Sequence, residues 1–248
     1  MSLSKNEIKF YKSLQQKKFR DSEKLFVIEG VKLFKELLNA ESFEIDQILI
    51  IESSELIDEL QAEHGKYLTV ISNNDLERIS SFKHPNQVFV TVNQKEDVDL
   101  SYSEDELILF LDDVRDPGNL GTIIRTAEWF GVNQIRCSST SVELYNPKVV
   151  QSSMGSIFRM KVSYGDLVQE VTKAQAANFS VIAADMNGED LNGFEFEAKT
   201  VLVMGSESHG VSDEIGALSK AITIPKIGAA ESLNVAMATG IILAAARR

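Results

Sequence analysis

The second half of the chain alternates short apolar runs with longer segments of helical periodicity, and this alternation limits the folds open to it. The apolar runs, which predict strands, are 107–114, 134–137, 160–163, 181–185, 200–204 and 221–224. The segments with helical periodicity are 122–130, 147–157, 167–179 and 233–248. Apolar strands separated by amphipathic helices predict a parallel sheet covered on both faces. Ligands bind outside the carboxyl ends of such strands, so we expect a site in the loops after Val114, Met204 and Ile224.

The first 95 residues predict a small α/β domain of their own. Strand patterns at 25–28, 45–51, 67–71 and 88–92 alternate with helical patterns at 6–15, 31–38, 55–63 and 75–79. A polar, acidic stretch then interrupts the periodicity at residues 93–105. We therefore predict domains at 1–95 and 106–248 joined by a linker at 96–105, each of ordinary domain size.

The cellular context is indicated by the single cysteine and by the lack of a long apolar segment. Cys137 has no partner for an internal disulfide, which is typical of a reducing compartment, and the cytoplasm is the prediction. The first ten residues contain no apolar core of a secretory signal, and the longest apolar stretch, 235–246, is too short to span a bilayer. No membrane association is expected.

The charge distribution bears on nucleic-acid binding. A net charge of −12 argues against binding of nucleic acid through the whole surface, because neutralising phosphates requires Lys and Arg. Residues 1–24 nevertheless hold seven basic side chains against three acidic ones, whereas 29–63 hold ten acidic ones. The basic stretch is either a binding stripe on an acidic body or, as is more common, a solvated helix face.

The loop after the first strand of the second half reads DDVRDPGNLGTIIR at residues 112–125. It turns at Pro117-Gly118 and begins a helix near Asn119, a residue type that caps helices. Arg125 lies among apolar residues of that helix, where it either snorkels to solvent or serves a site.

The loop LVMGSESHG, at residues 202–210, has two glycines that permit close backbone approach and places Glu207 at the end of the sheet. It differs from a phosphate-binding P-loop because Val211 follows Gly210 where Lys is required. Residues 206–210 also resemble the nucleophile elbow of a serine hydrolase, but no histidine follows His209 to act as the base. The hydrolase alternative is therefore disfavoured.

The last loop, IPKIGAAESLNVA at residues 224–236, precedes an apolar helix. Ser232 is either the cap of that helix or a site residue, and Asn234 is either a buried, hydrogen-bonded amide or a site residue. No G-x-G-x-x-G follows a strand, and no spacing of His, Cys, Asp and Glu fits a metal site.

The order and spacing of these three loops resemble the three motifs of the SpoU/TrmH family of RNA 2'-O-ribose methyltransferases. The motifs in this chain are D-x-x-D-P-G-N-x-G-x-x-x-R-T-A, L-V-x-G-x-E-x-x-G and I-P-x-x-G-x-x-x-S-L-N-V-A, and the resemblance covers about residues 107–248. More weakly, RDSEKLFVIEG at 20–30 resembles the opening of the substrate-binding domain of many such enzymes, which is akin to an RNA-binding ribosomal protein. Lys226 stands where the family often has Met.

The resemblance implies a SPOUT-type α/β domain with a deep trefoil knot, a rare exception to the rule that chains do not thread loops. It also implies S-adenosylmethionine as cofactor, an RNA substrate and a homodimer formed through the C-terminal domain, with which the apolar helix 235–246 is consistent. The implied cofactor residues are Met204, Gly205, Ile224 and Leu233. The implied catalytic residues are Asn119, Arg125, Glu207, Ser232 and Asn234. The basic stretch is thereby assigned to RNA through Lys12, Lys17, Lys18 and Arg20.

Ribosomal RNA is the favoured substrate, because the separate N-terminal domain resembles those of family members that modify ribosomal RNA. Two alternatives remain at this point. One is a transfer-RNA 2'-O-methyltransferase, and the other is a paralogue that binds RNA without methylating it, which the acidic net charge keeps open.

Overall fold

The computed structural model describes residues 2–40, 42–102 and 107–247. They form two separately packed units, Met1–Glu96 with Leu144–Phe158, and Asp97–Glu143 with Arg159–Arg248. Among the described residues, no helix is both long enough and apolar enough to cross a membrane.

The first unit is built on a four-stranded sheet. Its strands are β1 (Leu25–Glu29), β2 (Ile45–Ile51), β3 (Leu68–Ile71) and β4 (Val88–Asn93). Its helices up to residue 96 are α1 (Lys5–Ser13), α2 (Lys17–Glu23), α3 (Val31–Ala40), α4 (Ile57–His64) and α5 (Asn73–Ile79). The strand order is β1-β4-β2-β3, and β4 is antiparallel to both neighbours while β2 and β3 are parallel. The carboxyl ends of β1, β2 and β3 therefore lie at the same edge.

Each face of this sheet carries a core cluster, as the alternation of side chains along a strand requires. Phe26 and Ile28 of β1 belong to one cluster, and Val27 belongs to the other. The short helix α2 is absent from the sequence prediction, which has only a basic, non-periodic stretch there.

The second unit contains a six-stranded sheet. Its strands are β5 (Leu107–Leu111), β6 (Gln134–Ser138), β7 (Lys161–Gly165), β8 (Ser180–Asp190), β9 (Thr200–Met204) and β10 (Lys220–Thr223). The helices after residue 107 are α6 (Pro117–Trp129), α7 (Pro147–Ser152), α8 (Leu167–Ala176), α9 (Asp213–Gly216) and α10 (Val235–Ala246), of which α7 belongs to the first unit. The strand order is β10-β8-β9-β5-β6-β7, and every pairing is parallel. The predicted parallel sheet is confirmed.

Around the first of the three loops, two predicted boundaries are wrong. β5 ends at Leu111 rather than Val114, because Asp113 takes a φ of 60° and turns the chain out of the strand. α6 begins at Pro117, and its cap is Asp116, whose side chain accepts a hydrogen bond from the Asn119 N–H at 2.9 Å. Asn119 is thus the third residue of the helix and not its cap.

Residues 144–158 lie in the sequence of the predicted second domain but pack in the first unit. Ile157 and Phe158 are buried in the same core cluster as Phe26. The Tyr145 ring stacks on Phe26 with 4.5 Å between ring centroids. Ser42 Oγ donates to the Phe158 carbonyl at 2.9 Å. A boundary drawn at one point of the sequence therefore does not separate the packed units.

Part of the predicted linker is anchored in the second unit. The Ser101 N–H donates to Gln134 Oε1 at 2.9 Å, and the Tyr102 hydroxyl donates to Glu170 Oε2 at 2.7 Å. Glu170, on α8, also accepts from Lys173 at 2.8 Å and from Arg136 of β6 at 3.3 Å. Predicted linker residues 103–105 lie outside the described residues.

Candidate active site

The three loops singled out in the sequence leave the same edge of the six-stranded sheet. β5 and β9 are neighbours, and the strands that follow β5 directly, β6 and β7, lie on its other side. The direction of winding therefore switches between β9 and β5, and such switch points open a crevice at the carboxyl ends of the strands.

Three of the predicted catalytic residues meet at this crevice. Asn119 Nδ2 donates to Glu207 Oε1 at 2.8 Å. Asn234 Nδ2 donates to the same Glu207 oxygen at 2.7 Å and to Asn119 Oδ1 at 2.9 Å. All three residues are exposed or partly exposed, so their remaining lone pairs and N–H groups are open to a ligand.

Asn234 also fixes the start of α10. Its Oδ1 accepts from the N–H groups of Ala236 at 3.0 Å and Met237 at 3.3 Å, which makes it the cap of the helix. The alternative roles of Ser232 as the cap and of Asn234 as a buried amide are therefore wrong. Because Oδ1 is held by the helix, Nδ2 is directed to Glu207 and Asn119.

The loop after β9 closes on itself. The N–H of Ser206 donates to the Gly210 carbonyl, and the N–H of Gly210 donates to the Ser206 carbonyl, both at 3.0 Å. A Cβ on Gly205 would lie 2.0 Å from the Gly210 carbonyl carbon, so no side chain fits there. The loop is tied to β5 through Asp112, whose Oδ2 accepts from the Ser212 N–H at 2.9 Å. Gly205 thus permits the approach of the loop's own backbone, and Glu207 projects from the closed turn.

The loop between β10 and α10 is built differently. Residues 226–233 exchange no backbone hydrogen bond with any other residue that the structure describes. Leu233 is 49% exposed and Ile227 is fully exposed, while Ile224 is half-buried. The loop offers unpaired backbone donors and acceptors beside apolar side chains. Such a lining suits a ligand that combines a polar ribose or amino-acid moiety with a flat purine.

Arg125 and Ser232 do not join the cluster. The Arg125 side chain is exposed and makes no hydrogen bond or ion pair within the described part of the chain. Six residues along a helix correspond to a rotation of about 240°, so Arg125 projects from a different side of α6 than Asn119 does. Ser232 is exposed in the loop before Asn234.

Arg125 shares its face of α6 with an exposed aromatic residue that the sequence reasoning missed. Trp129, four residues on, is 85% exposed. α10 packs against α6, and a Cβ on Gly240 would lie 3.5 Å from the Thr126 methyl group. Met237 and Ile241 of α10 are 63% and 40% exposed. The i, i+4 spacing of Arg125 and Trp129 was the available signal.

The residues assigned to RNA differ in accessibility. Lys12, Lys17 and Lys18 are exposed, and Lys17 forms an ion pair with Asp21 at 2.6 Å. Arg20 is only 1% exposed and donates from Nη1 to the Leu14 carbonyl at 2.8 Å. We therefore assign Arg20 to the packing of α1 and α2 rather than to RNA. Within the described ranges, no three ligating side chains are grouped so as to hold a metal ion.

Two sequence profiles match the chain. The SpoU rRNA Methylase family matches residues 106–244, and an MRM3-like substrate binding domain matches residues 5–90.

Named relatives cover nearly the whole chain. The Bacillus subtilis 23S rRNA (guanosine(2553)-2'-O)-methyltransferase RlmP is 28% identical over 98% of this chain and 96% of its own length. The AdoMet-bound rRNA methyltransferase from Sinorhizobium meliloti superposes with a TM-score of 0.89 at 29% identity, covering 100% of this chain and 96% of that one. The SpoU methyltransferase AviRb from Streptomyces viridochromogenes, in complex with AdoMet, gives 0.87 at 25% identity, covering 98% and 97%. Because the family profile spans more than half of its residues, this chain belongs to the SpoU rRNA Methylase family.

Proposed function

We propose that the chain is an S-adenosylmethionine-dependent RNA 2'-O-ribose methyltransferase and that its substrate is ribosomal RNA. The observation that carries the proposal is the cluster of Asn119, Glu207 and Asn234 at the carboxyl edge of the sheet. The full-length similarity to RlmP, which is named as a ribosomal-RNA 2'-O-methyltransferase, favours the same reaction and substrate class here.

The cofactor proposal rests on the two loops that flank the crevice. Similar structures from Sinorhizobium and Streptomyces hold AdoMet. Met204, the last residue of β9, and Gly205 after it would hold the cofactor from one side, and Ile224 and Leu233 would hold it from the loop between β10 and α10. When bound, S-adenosylmethionine supplies a methyl group on a positively charged sulfur.

The residues of the chain have two tasks. They hold the ribose hydroxyl in line with the methyl group of the cofactor, and they assist the loss of the hydroxyl proton. A guanidinium stays protonated in proteins, so Arg125 is not the base. We assign Arg125 to binding the adjacent phosphate and stabilising the developing alkoxide, while a phosphate oxygen or water takes the proton. Asn234 borders the same crevice, and Ser232, two residues before it in the last loop, is proposed as a further site residue.

We further infer a homodimer, because Arg125 does not join the cluster of its own chain. Trp129, Met237 and Ile241 form an exposed apolar surface around the α6–α10 contact. Such surfaces on soluble proteins mark interaction sites, and a two-fold axis would bury both copies of this one. In that arrangement Arg125 completes the site of the second copy.

Three further proposals concern the fold of each unit and the location of the protein. The trefoil knot is supported by the insertion of β9 between β8 and β5 and by the return of the C-terminal α10 against α6. The resemblance of the first unit to an RNA-binding ribosomal protein is supported by the match to a substrate-binding domain. A cytoplasmic location is consistent with the buried free thiol of Cys137.

The test of the proposed function is methyl transfer from labelled S-adenosylmethionine to ribosomal RNA. Arg125→Ala should lower turnover by about 100-fold, the usual loss when one stabilising donor is removed, and leave cofactor affinity within a few-fold. Arg125→Lys should also have low turnover, because an ammonium lacks the planar fork of donors.

A wild-type protein that binds the cofactor and RNA but transfers no methyl group would be the non-catalytic paralogue. Mapping 2'-O-methyl groups in total RNA of a deletion strain separates ribosomal from transfer RNA.

A further inference from the structure

A cleft in the first unit lies at the junction of β1 and α3, at the edge where β1, β2 and β3 end. Its volume is about 250 Å³. It is lined by Glu29, Gly30, Lys32, Phe82, Asn86 and Gln151, among others. This volume is below the range of about 300–1,000 Å³ typical of sites for drug-sized ligands, so the cleft suits a group of the size of one nucleobase.

The floor of the cleft is fixed by a buried carboxylate. Glu29 is 7% exposed and accepts hydrogen bonds from the Ser80 hydroxyl, from the Ser81 hydroxyl at 2.6 Å and from the Ser81 N–H at 3.0 Å. The Gly30 N–H donates to the Val88 carbonyl at 3.0 Å. These bonds hold both ends of the loop at 80–87, so the side chains that it presents are positioned before any ligand arrives.

The walls of the cleft present side chains without partners. Phe82 is 40% exposed, and it stacks on no other aromatic ring that the structure describes. The side-chain amides of Asn86 and Gln151 and the ammonium of Lys32 likewise make no hydrogen bond or ion pair with the described residues. Lys32 lies in the first turn of α3, where the helix dipole adds to its positive charge.

We propose that this cleft binds one unpaired nucleotide of the substrate RNA. Phe82 stacks on the base, since an exposed aromatic ring on a fixed loop is how single-stranded RNA is held. Asn86 and Gln151 present amide donors and acceptors to the base edge. Lys32 and the first N–H groups of α3 bind the adjacent phosphate.

This inference rests on the proposed function for the nature of the substrate. The principal RNA contact then lies in the cleft and not in the basic stretch of the N-terminus, where Lys17 is paired with Asp21 and Arg20 is buried. It also explains how an acidic protein binds RNA, because stacking does not depend on net charge.

The experiment compares a labelled single-stranded RNA of about 12 nucleotides, within the usual site sizes, with a duplex of the same length. The full-length wild type should prefer the single strand. Phe82→Ala should bind it about tenfold more weakly and lose the preference, and Phe82→Leu should behave likewise because it keeps an apolar side chain without a stacking face. Phe82→Tyr should bind the single strand as tightly as wild type does, because it keeps the ring.

Lys32→Ala should weaken binding of the single strand and lower the dependence of log affinity on log salt by about one phosphate contact.

Lys66→Ala is the control, because it removes the same charge from the opposite edge of the sheet, just before β3 begins at Leu68. Thermal melting verifies that each variant is folded. In methyl-transfer assays, Phe82→Ala should raise the KM for RNA and leave kcat at saturating RNA unchanged. Two results would overturn the proposal that the cleft binds an unpaired nucleotide. One is equal affinity of the wild type for the two RNAs, and the other is single-strand binding by Phe82→Ala as tight as that of wild type. A wild type that methylates no RNA would instead overturn the proposed function.

Discussion

Asn234 combines two tasks in one side chain, because its oxygen caps α10 and its nitrogen binds Glu207 and Asn119. The two tasks are separable by substitution. Asp caps a helix as well as Asn does, whereas Ala does not. Asp has no N–H donor, and it would place a second carboxylate within hydrogen-bond distance of Glu207.

We expect Asn234→Ala to lose about 1 kcal/mol of stability as well as activity, since the cap and the cluster are both removed. Asn234→Asp should melt above the Ala variant but transfer methyl groups no better. Thermal melting and methyl-transfer assays of the two variants measure this difference. An Asp variant as active as wild type would show that the amide donors have no part in the reaction.

The meeting of Asn119, Glu207 and Asn234 was predictable because each follows a strand of one parallel sheet, and parallel strands end at a common edge. The identity of the α10 cap was not, because Ser232 and Asn234 are both capping residue types and lie two residues apart. Nor was the burial of Arg20, which depends on the carbonyl of Leu14 across a turn that periodicity does not reveal.

Among the secondary-structure elements, α8 and β6 are joined through Glu170 and Arg136, with Tyr102 and Lys173 bound to the same carboxylate. Desolvation alone would raise the pKa of Glu170, but the hydrogen bonds from Lys173 and Tyr102 and the charge of Arg136 lower it below the ordinary value of 4.5. The ionised carboxylate therefore stabilises the fold above pH 4.5, and this contribution is lost as the pH falls through the lower pKa of the folded state.

Glu170→Gln should accordingly lower the free energy of unfolding at neutral pH by roughly 1–3 kcal/mol, and with it the melting temperature, because buried donors lose a charged acceptor. The difference from wild type should narrow as the pH falls well below 4.5. Melting curves at neutral and acidic pH measure it. Glu197→Gln is the control, because Glu197 forms an exposed ion pair with Lys220 and its loss should change the melting temperature little. A difference that grows on acidification would contradict the assignment.

The elements that the sequence predicts are the ones with a periodic apolar face, and the structure has all the strands of the parallel sheet near their predicted places. The elements it misses are α2 and α9, of seven and four residues. Helices this short are stable only through tertiary contacts, which a local pattern does not record.

For the molecule as a whole, the shared site of the proposed homodimer makes a quantitative prediction. Arg125→Ala and Asn234→Ala homodimers should each have little activity, about 100-fold below wild type for Arg125→Ala. If the two residues of one site come from different subunits, a heterodimer of these variants has one doubly altered site and one intact site. Mixing should then restore up to about half of the wild-type activity. Purified heterodimers without recovered activity would exclude sharing by this pair, and a monomer in sedimentation would exclude the dimer.

Deletion of residues 1–96 tests whether the remaining chain stays soluble without most of the first unit. The deletion removes the partners of Val150, Ile157 and Phe158, which are buried in the first unit. We expect the truncated protein to aggregate, because an apolar cluster becomes exposed. Replacing the three residues with Ser in the truncated chain should restore solubility, as judged by size-exclusion chromatography. A soluble truncated chain without these replacements would contradict the expectation.

The position of residues 144–158 in the first unit also determines when this unit can finish folding during translation. Residues 1–96 leave the ribosome before the segment that covers Phe26 has been translated. At about 5–20 residues per second, that segment emerges seconds later. Part of the apolar core of the nascent first unit is therefore exposed during this interval, and chaperones that bind apolar surface can bind it then. The unit that we assign to RNA recognition is completed only when the chain of the catalytic unit is already being made.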